Sequence, residues 1–130
     1  MREIKFRGKD FLGRWHYGYL HLATGSSSLM IEVDSFDSFG VLPETIGQFT
    51  GIKDKNGKDI YERDILRVIS LNTDTLGESK IVQVMYDKYY AAFTVYIGEG
   101  RSWSLGSTGY ECEIEVIGNV YDNPELLKGK

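Results

Sequence analysis

The chain has 130 residues, 42% of them hydrophobic and 26% charged, and a formal net charge of −4. That is room for one ordinary globular core of the usual domain size, not the composition of a disordered polyanion. The acidic balance is the reverse of a phosphate binder's basic footprint, and a single cysteine, Cys112, excludes an intramolecular disulfide.

Apolar residues alternate with polar ones along most of the chain, which is the period of half-buried strands. Ile4 to Phe6 reads as an edge strand running into a turn near Gly8 and Gly13. Trp15 to Leu22 and Leu29 to Val33 flank the turn cluster at Thr24 to Ser28 and read as an antiparallel hairpin. Asp64 to Ile69 makes a short strand, Lys80 to Tyr86 another, and Tyr89 to Ile97 pairs with the latter in a hairpin. Tyr110 to Ile117 alternates most cleanly, with Tyr110, Cys112, Ile114 and Val116 on one face and Glu111, Glu113 and Glu115 on the other. Two loops are expected, at 71–79 and 98–109, and the second, which carries Arg101 and Trp103, is the candidate interaction loop. Helix is confined to a last turn after Asn123, where Pro124 suits the first helical position.

The densest backbone signal lies in the middle. In Asp54-Lys55-Asn56-Gly57-Lys58 the asparagine-glycine pair accepts positive φ cheaply, so the chain reverses between Phe49 to Ile52 and Asp59 to Tyr61. Gly51 inside the first arm implies a bulge or the close approach of another backbone. Tyr61-Glu62-Arg63-Asp64 turns the chain into Ile65-Leu66, a charged turn into a short strand that resembles the opening of an SH3-like small barrel. The expected fold is therefore mainly β. It has antiparallel sheets, a small SH3-like, partly open barrel in the C-terminal half and minimal helix. A single domain spans 1–130, with an N-terminal subregion of about 1–48 and a barrel-like one of about 49–130. A calcium loop fails by counting, because Gly57 at the sixth position puts Ile52 first and Arg63 last, where acidic ligands are needed.

These residues carry a resemblance. Gln48 to Lys58, continued by Ile60-Tyr61-Glu62 and Asp64-Ile65, is similar to the YopX family of phage and prophage proteins. So are the start, Arg2-Glu3-Ile4-Lys5-Phe6-Arg7, and the ending, Glu115 to Leu127. The family positions are Gly51, Lys53, Asp54, Asn56, Gly57, Tyr61, Glu62 and Asp64, in structural or interaction roles. Relatives often have glycine where this chain has Arg63, which then either bears a positive φ or uses another turn type. The resemblance implies a phage or prophage origin and self-association, and it transfers no catalytic residues.

No catalytic set, metal site or cofactor is expected. His16 and His21, five apart on one strand, face opposite sides, and Cys112 sits on an apolar strand face as a packed thiol. Charges flank every apolar residue of the first seven positions, so no secretory leader is expected there. No apolar run approaches the roughly 20 residues of a membrane helix. The expectation is a cytoplasmic, non-enzymatic accessory protein of the bacterial host that self-associates and binds a host or phage protein. The alternative is a nucleic-acid-binding small β-barrel using residues 1–14, which hold five basic and two acidic side chains, against the field of the acidic remainder. A third reading is an acidic decoy of DNA built on Glu111, Glu113, Glu115, Asp34, Asp37 and Glu44.

Overall fold

A computed structural model describes residues 3–23, 28–33, 37–98, 101–105 and 112–128, with the side chains of 96–98 and 101–103 outside that description. The protein is mainly β, with two antiparallel sheets and, among the described residues, no closed barrel and no α-helix. The chain divides into two compact units, residues 1–51 and 52–130.

The first unit contains β1 (Phe6–Lys9), β2 (Trp15–Leu22), β3 (Leu29–Glu32), β4 (Ser38–Gly40), a 3-10 turn at Pro43–Thr45 and most of β5 (Gly47–Lys53), in the order β4-β3-β2-β1-β5. Register pairs Gly8 with His16, and Ile31 with both Leu20 and Phe39, so these residues share one face. Ile31 is fully buried there, and the His16 ring stacks on Phe39 at 3.9 Å. The opposite face carries Arg7 and Lys9 across from Tyr17 and Trp15. The strand expected at Ile4 to Phe6 instead begins at Phe6 and continues through Gly8. Gly8 pairs with His16 within the strand, and it is glycine because a Cβ would stand 2.9 Å from Val41, a packing need that reads as a turn signal in sequence. The expected turn falls at the second of the two glycines, Gly13, over residues 10–13. The short β4 was not expected; three residues give too little pattern to see.

Past Gly51, β5 runs into the second unit, where Ile52 and Lys53 turn back as a hairpin into β6 (Asp59–Tyr61). There follow β7 (Asp64–Ser70), β8 (Ser79–Asp87), β9 (Ala92–Gly98), β10 (Arg101–Ser104) and β11 (Cys112–Asn119). Their order is β10-β9-β8-β7-β11, a meander whose last strand returns beside the first. One face of this sheet is the core, with Leu66, Val68, Val82, Val84, Val95 and Ile114 buried around Ile60 and Leu105, and Cys112 and Val116 packed against them. Alternation in β11 thus does what its sequence requires, until a register shift between Val116 and Gly118. Tyr110 and Glu111 lie outside the described residues.

Three expectations need correction here. The interaction loop expected at 98–109 contains a strand, since Arg101–Ser104 pairs with β9, and its glycines and serines had masked the pairing. Residues 88–91 form a turn before β9, in which the Asp87 carboxylate accepts hydrogen bonds from the backbone N–H of Tyr89 and Tyr90, and Ala91 takes φ 51°. Pro124–Leu127 is a 3-10 turn, and Asn123 does not cap it. Its side-chain oxygen accepts from the Asn119 N–H at 3.2 Å instead.

Gly57 has φ 81° with open space where a Cβ would stand, so a branched side chain there meets only the backbone penalty. Gly57→Val is expected to lower stability by about 1–3 kcal/mol. Thermal or urea unfolding checks this, and an unchanged midpoint would contradict the assignment of the turn.

Candidate functional site

Asp54 ends the β5 arm of the central hairpin, and its backbone closes the turn: its N–H donates to Lys58 O at 2.8 Å, and Gly57 N–H donates to Asp54 O at 3.0 Å. Among the described residues of this turn only Gly57 has positive φ, so it is a three-residue loop ending in a glycine bulge rather than a two-residue turn. The Asp54 carboxylate then does two separate jobs. Oδ1 accepts from the N–H groups of Asn56 (2.8 Å) and Lys58 (2.9 Å), fixing the turn. Oδ2 accepts from the Val116 N–H at 2.9 Å, across 62 positions of sequence.

That second bond explains how β11 ends its sheet. Ile114 and Val116 direct their backbone groups away from β7, toward an open edge. The turn fills this edge, since Lys55 N–H donates to Ile114 O at 2.9 Å and the carboxylate takes the Val116 N–H. Asp54 thus stands in for the missing carbonyl of a neighbouring strand. Burial pushes its carboxyl up, but the N–H groups of Val116, Lys58 and Asn56, with the Lys58 charge, outweigh it and hold the group below the ordinary carboxylate range.

The next turn repeats the logic. Asp64 is buried, and its carboxylate accepts from the Tyr61 N–H at 2.8 Å. Between them Arg63 has φ 71°, its N–H donating to Val84 O and its carbonyl accepting from Val120 N–H. The position where relatives often have glycine does require the left-handed conformation, and an exposed arginine bears it. Of the other family positions, Gly51 has φ 88° with open space at its Cβ position, so conformation and not close approach is the reason for glycine. Lys53 pairs with Asp59 at 2.9 Å, Asn56 is exposed in the turn, Tyr61 is buried, and Glu62 is half-buried beside Arg63. The structure brings this motif together as a backbone clamp. Arg101 and Trp103 lie on β10, which pairs with β9.

Sequence reasoning missed a second copy of the same turn. Asp10-Phe11-Leu12-Gly13-Arg14 joins β1 to β2 with the bonding of 54–58: Asp10 N–H donates to Arg14 O, Gly13 N–H to Asp10 O, and Gly13 has φ 82°. Asp10 Oδ1 likewise accepts from the N–H of Leu12 and Arg14. Its Oδ2 differs, taking His16 Nε2–H at 2.8 Å and Arg14 Nε–H at 2.9 Å. The His16 bond, the Arg14 and Leu12 amides and the Arg14 side chain together hold this carboxyl well below the ordinary range, against the push of burial. The shared spacing, aspartate, two residues, glycine, then a cation, was the legible signal. The tip it builds presents Phe11 and Leu12 at 83% and 77% exposure.

The remaining candidates are engaged or scattered. His21 is exposed, 3.2 Å from Ser38 Oγ, and Cys112 is half-buried. Glu113 pairs with Lys55 and Glu115 with Arg67, so these acids are partnered, while Glu111 and Asp34 lie outside the described residues. Among the described residues no three His, Cys, Asp or Glu side chains are grouped to hold a metal ion, and no helix is long and apolar enough to cross a membrane.

With this geometry in place, comparison with known proteins is decisive about family. A family model described as YopX protein matches residues 13–128, which includes both turns' glycines and the whole central motif. The chain belongs to the YopX family. Over 76 residues it is 34% identical to the SPbeta prophage-derived uncharacterized protein YopX of Bacillus subtilis (strain 168), an alignment covering 56% of this chain and 53% of that relative. The chain thus spans about half the length of the curated YopX relative.

Two outcomes follow for the YopX motif. Arg63→Gly is expected to raise stability by about 0.5–1 kcal/mol, because relief of roughly 1–2 kcal/mol of left-handed strain exceeds the added freedom of the unfolded chain. A lower melting temperature would contradict it. Asp54→Asn is expected to cost about 2–3 kcal/mol, since an amide must turn its NH2 toward one of the N–H groups. A carboxyl whose folded pKa is depressed contributes stability above its unfolded pKa of about 3.9 and loses it as pH falls through the folded value. The melting temperature should therefore fall below about pH 4, and Asp54→Asn should make that fall shallower. Parallel curves for the two proteins would contradict the role of Asp54.

Proposed function

We propose that this YopX-family chain is a prophage-encoded accessory protein that acts by binding, without catalysis, as a self-associating protein-binding module. The observation that carries the reading is the placement of large apolar and aromatic side chains at hairpin tips fixed by carboxylates. Phe11 and Leu12 project from the Asp10 turn, and Tyr89 and Tyr90, 86% and 79% exposed, project from the Asp87 turn. Exposed side chains on a rigid turn lose little freedom when they are covered, which favours their use as anchors. The motif residues Gly51, Lys53, Asp54, Asn56, Gly57, Tyr61, Glu62 and Asp64 serve this function indirectly, as scaffold. An SH3-like character of the second unit fits the same reading. A four-strand meander with the fifth strand returned beside the first is the connectivity such small barrels use.

A second reading is favoured by one feature. Register sets Lys9 opposite Trp15 and Arg7 opposite Tyr17, the mixture of cations and aromatics that single-stranded nucleic acids use. Against it, Arg7 is buried and lies 4.7 Å over the Trp15 ring, so this cation is spent inside the unit.

Light scattering of the purified chain from about 10 to 500 µM, a range suited to weak interfaces, is expected to give a defined oligomer. A strict monomer throughout would remove the self-association reading. Titration with labelled single-stranded DNA and RNA at low salt is expected to show no binding. Binding that weakens steeply with salt would put the second reading in its place.

A further inference from the structure

The chain has four asparagines, and three of them are poorly placed for reaction of the side-chain amide with the next backbone nitrogen. Asn123 precedes Pro124, which has no N–H to give up. Asn72 and Asn119 precede the β-branched Thr73 and Val120, which crowd the approach. Their side-chain oxygens are also engaged, accepting from the N–H of Asp74 in one case and of Tyr121 and Asp122 in the other. Asn56 differs on every count. It is exposed, its side chain makes no hydrogen bond among the described residues, and Gly57 after it leaves open space where a Cβ would stand.

What restrains Asn56 is the Asp54 turn. While the turn is closed, Gly57 N–H donates to Asp54 O at 3.0 Å, and the N–H groups of Asn56 and Lys58 are held on Asp54 Oδ1. The Gly57 nitrogen is thus committed to Asp54, and attack on the Asn56 side chain requires the turn to open. An exposed turn opens locally far more often than a sheet unfolds. The rate of reaction is then set by how firmly the carboxylate holds the amides.

We infer that Asn56 is a site of spontaneous hydrolytic self-modification, gated by the Asp54 turn, whose isoaspartyl product frees the edge of β11. In the open turn the Gly57 nitrogen bonds to Asn56 Cγ and the Cγ–Nδ2 bond breaks. The proton of the Gly57 nitrogen passes through water to the departing NH2, which leaves as ammonia. Water then opens the cyclic imide at either carbonyl. Addition at Cγ gives an ordinary aspartyl residue on an unaltered main chain, whereas addition at the backbone carbonyl leaves that carbon as a free carboxylate and routes the chain through Cγ. This second product lengthens the turn by a methylene and sets a new carboxylate beside that of Asp54, so the amides on either side of Gly57 no longer converge on Oδ1. Val116 N–H, 2.9 Å from Oδ2, loses its acceptor with them. The edge of β11 is then open to pairing with another chain.

The test follows the exchange of NH2 for OH by mass spectrometry, with fragmentation that separates aspartyl from isoaspartyl linkages. The folded chain is kept in mildly alkaline buffer for as long as the urea-unfolded chain takes to convert completely. The expected result is partial conversion of the folded chain at Asn56, none at that turn in Asn56→Ser, and conversion about fivefold or more faster in Asp54→Ala. If circular dichroism finds Asp54→Ala unfolded, Asp54→Asn takes its place. The isoaspartyl fraction, separated by its added charge, is expected to exchange its Val116 amide faster than fresh protein does. No conversion at Asn56 in the folded chain, or conversion at Asn72 instead, would overturn the site. Equal rates with and without the Asp54 carboxylate would overturn the gating, and unchanged Val116 protection in the isoaspartyl fraction would overturn the release of the edge.

Discussion

The carboxylate of Asp54 accepts hydrogen bonds from three backbone N–H groups, two within its own turn and one, from Val116, on the edge strand β11. A buried backbone donor without a partner costs about as much as a lost hydrogen bond, and an open strand edge invites pairing with other chains. Asp54 answers both needs with a single side chain. Its turn carries β5 into β6, the Arg63 turn carries β6 into β7, and β7 pairs with β11 along the register that ends at Asn119 and Asp64. The path from Asp54 through β7 to Val116 is therefore closed, and displacement at one point of it is felt at the others.

The Asp10 turn shows what the same local chemistry does in another setting. Both turns share the amide bonds to Oδ1 and the left-handed glycine, so their backbone shape is determined within five residues. What distinguishes them is the partner of Oδ2. In the second unit it is the Val116 N–H, and the turn is docked on a strand with Asp54 nearly covered. In the first unit it is His16 and Arg14, neighbours on the same hairpin, so the turn is braced from within and its tip projects outward. Phe11 and Leu12 occupy the places that Lys55 and Asn56 occupy in the docked turn. One device thus yields a clamp in one unit and a rigid apolar projection in the other.

How much of this could be read from sequence follows from the range of each interaction. Alternation in β2, β7 and β11 and the glycine of the central turn are local properties, and the residues show them directly. So is the need for positive φ at position 63, which the family resemblance points to and the arginine conceals. The bond from Val116 to Asp54 spans 62 positions and leaves no local trace. Gly8 reads as a turn although it sits in a strand, because its cause, Val41, is likewise distant in sequence. β10 hides among glycines and serines whose composition suggests a loop, and pairing with β9 overrides that preference. The Asp10 tip was legible in principle, since its spacing repeats that of residues 54–58.

Amide hydrogen exchange at Val116, followed by NMR in the wild type and in Asp54→Ala, tests the central claim most directly. If the carboxylate is the edge partner of β11, the Val116 N–H is protected in the wild type. The substitution then speeds its exchange by about tenfold or more, while the Leu66 and Val68 amides in β7 keep a clear margin of protection. Unchanged protection of Val116 after loss of the carboxylate would contradict the account.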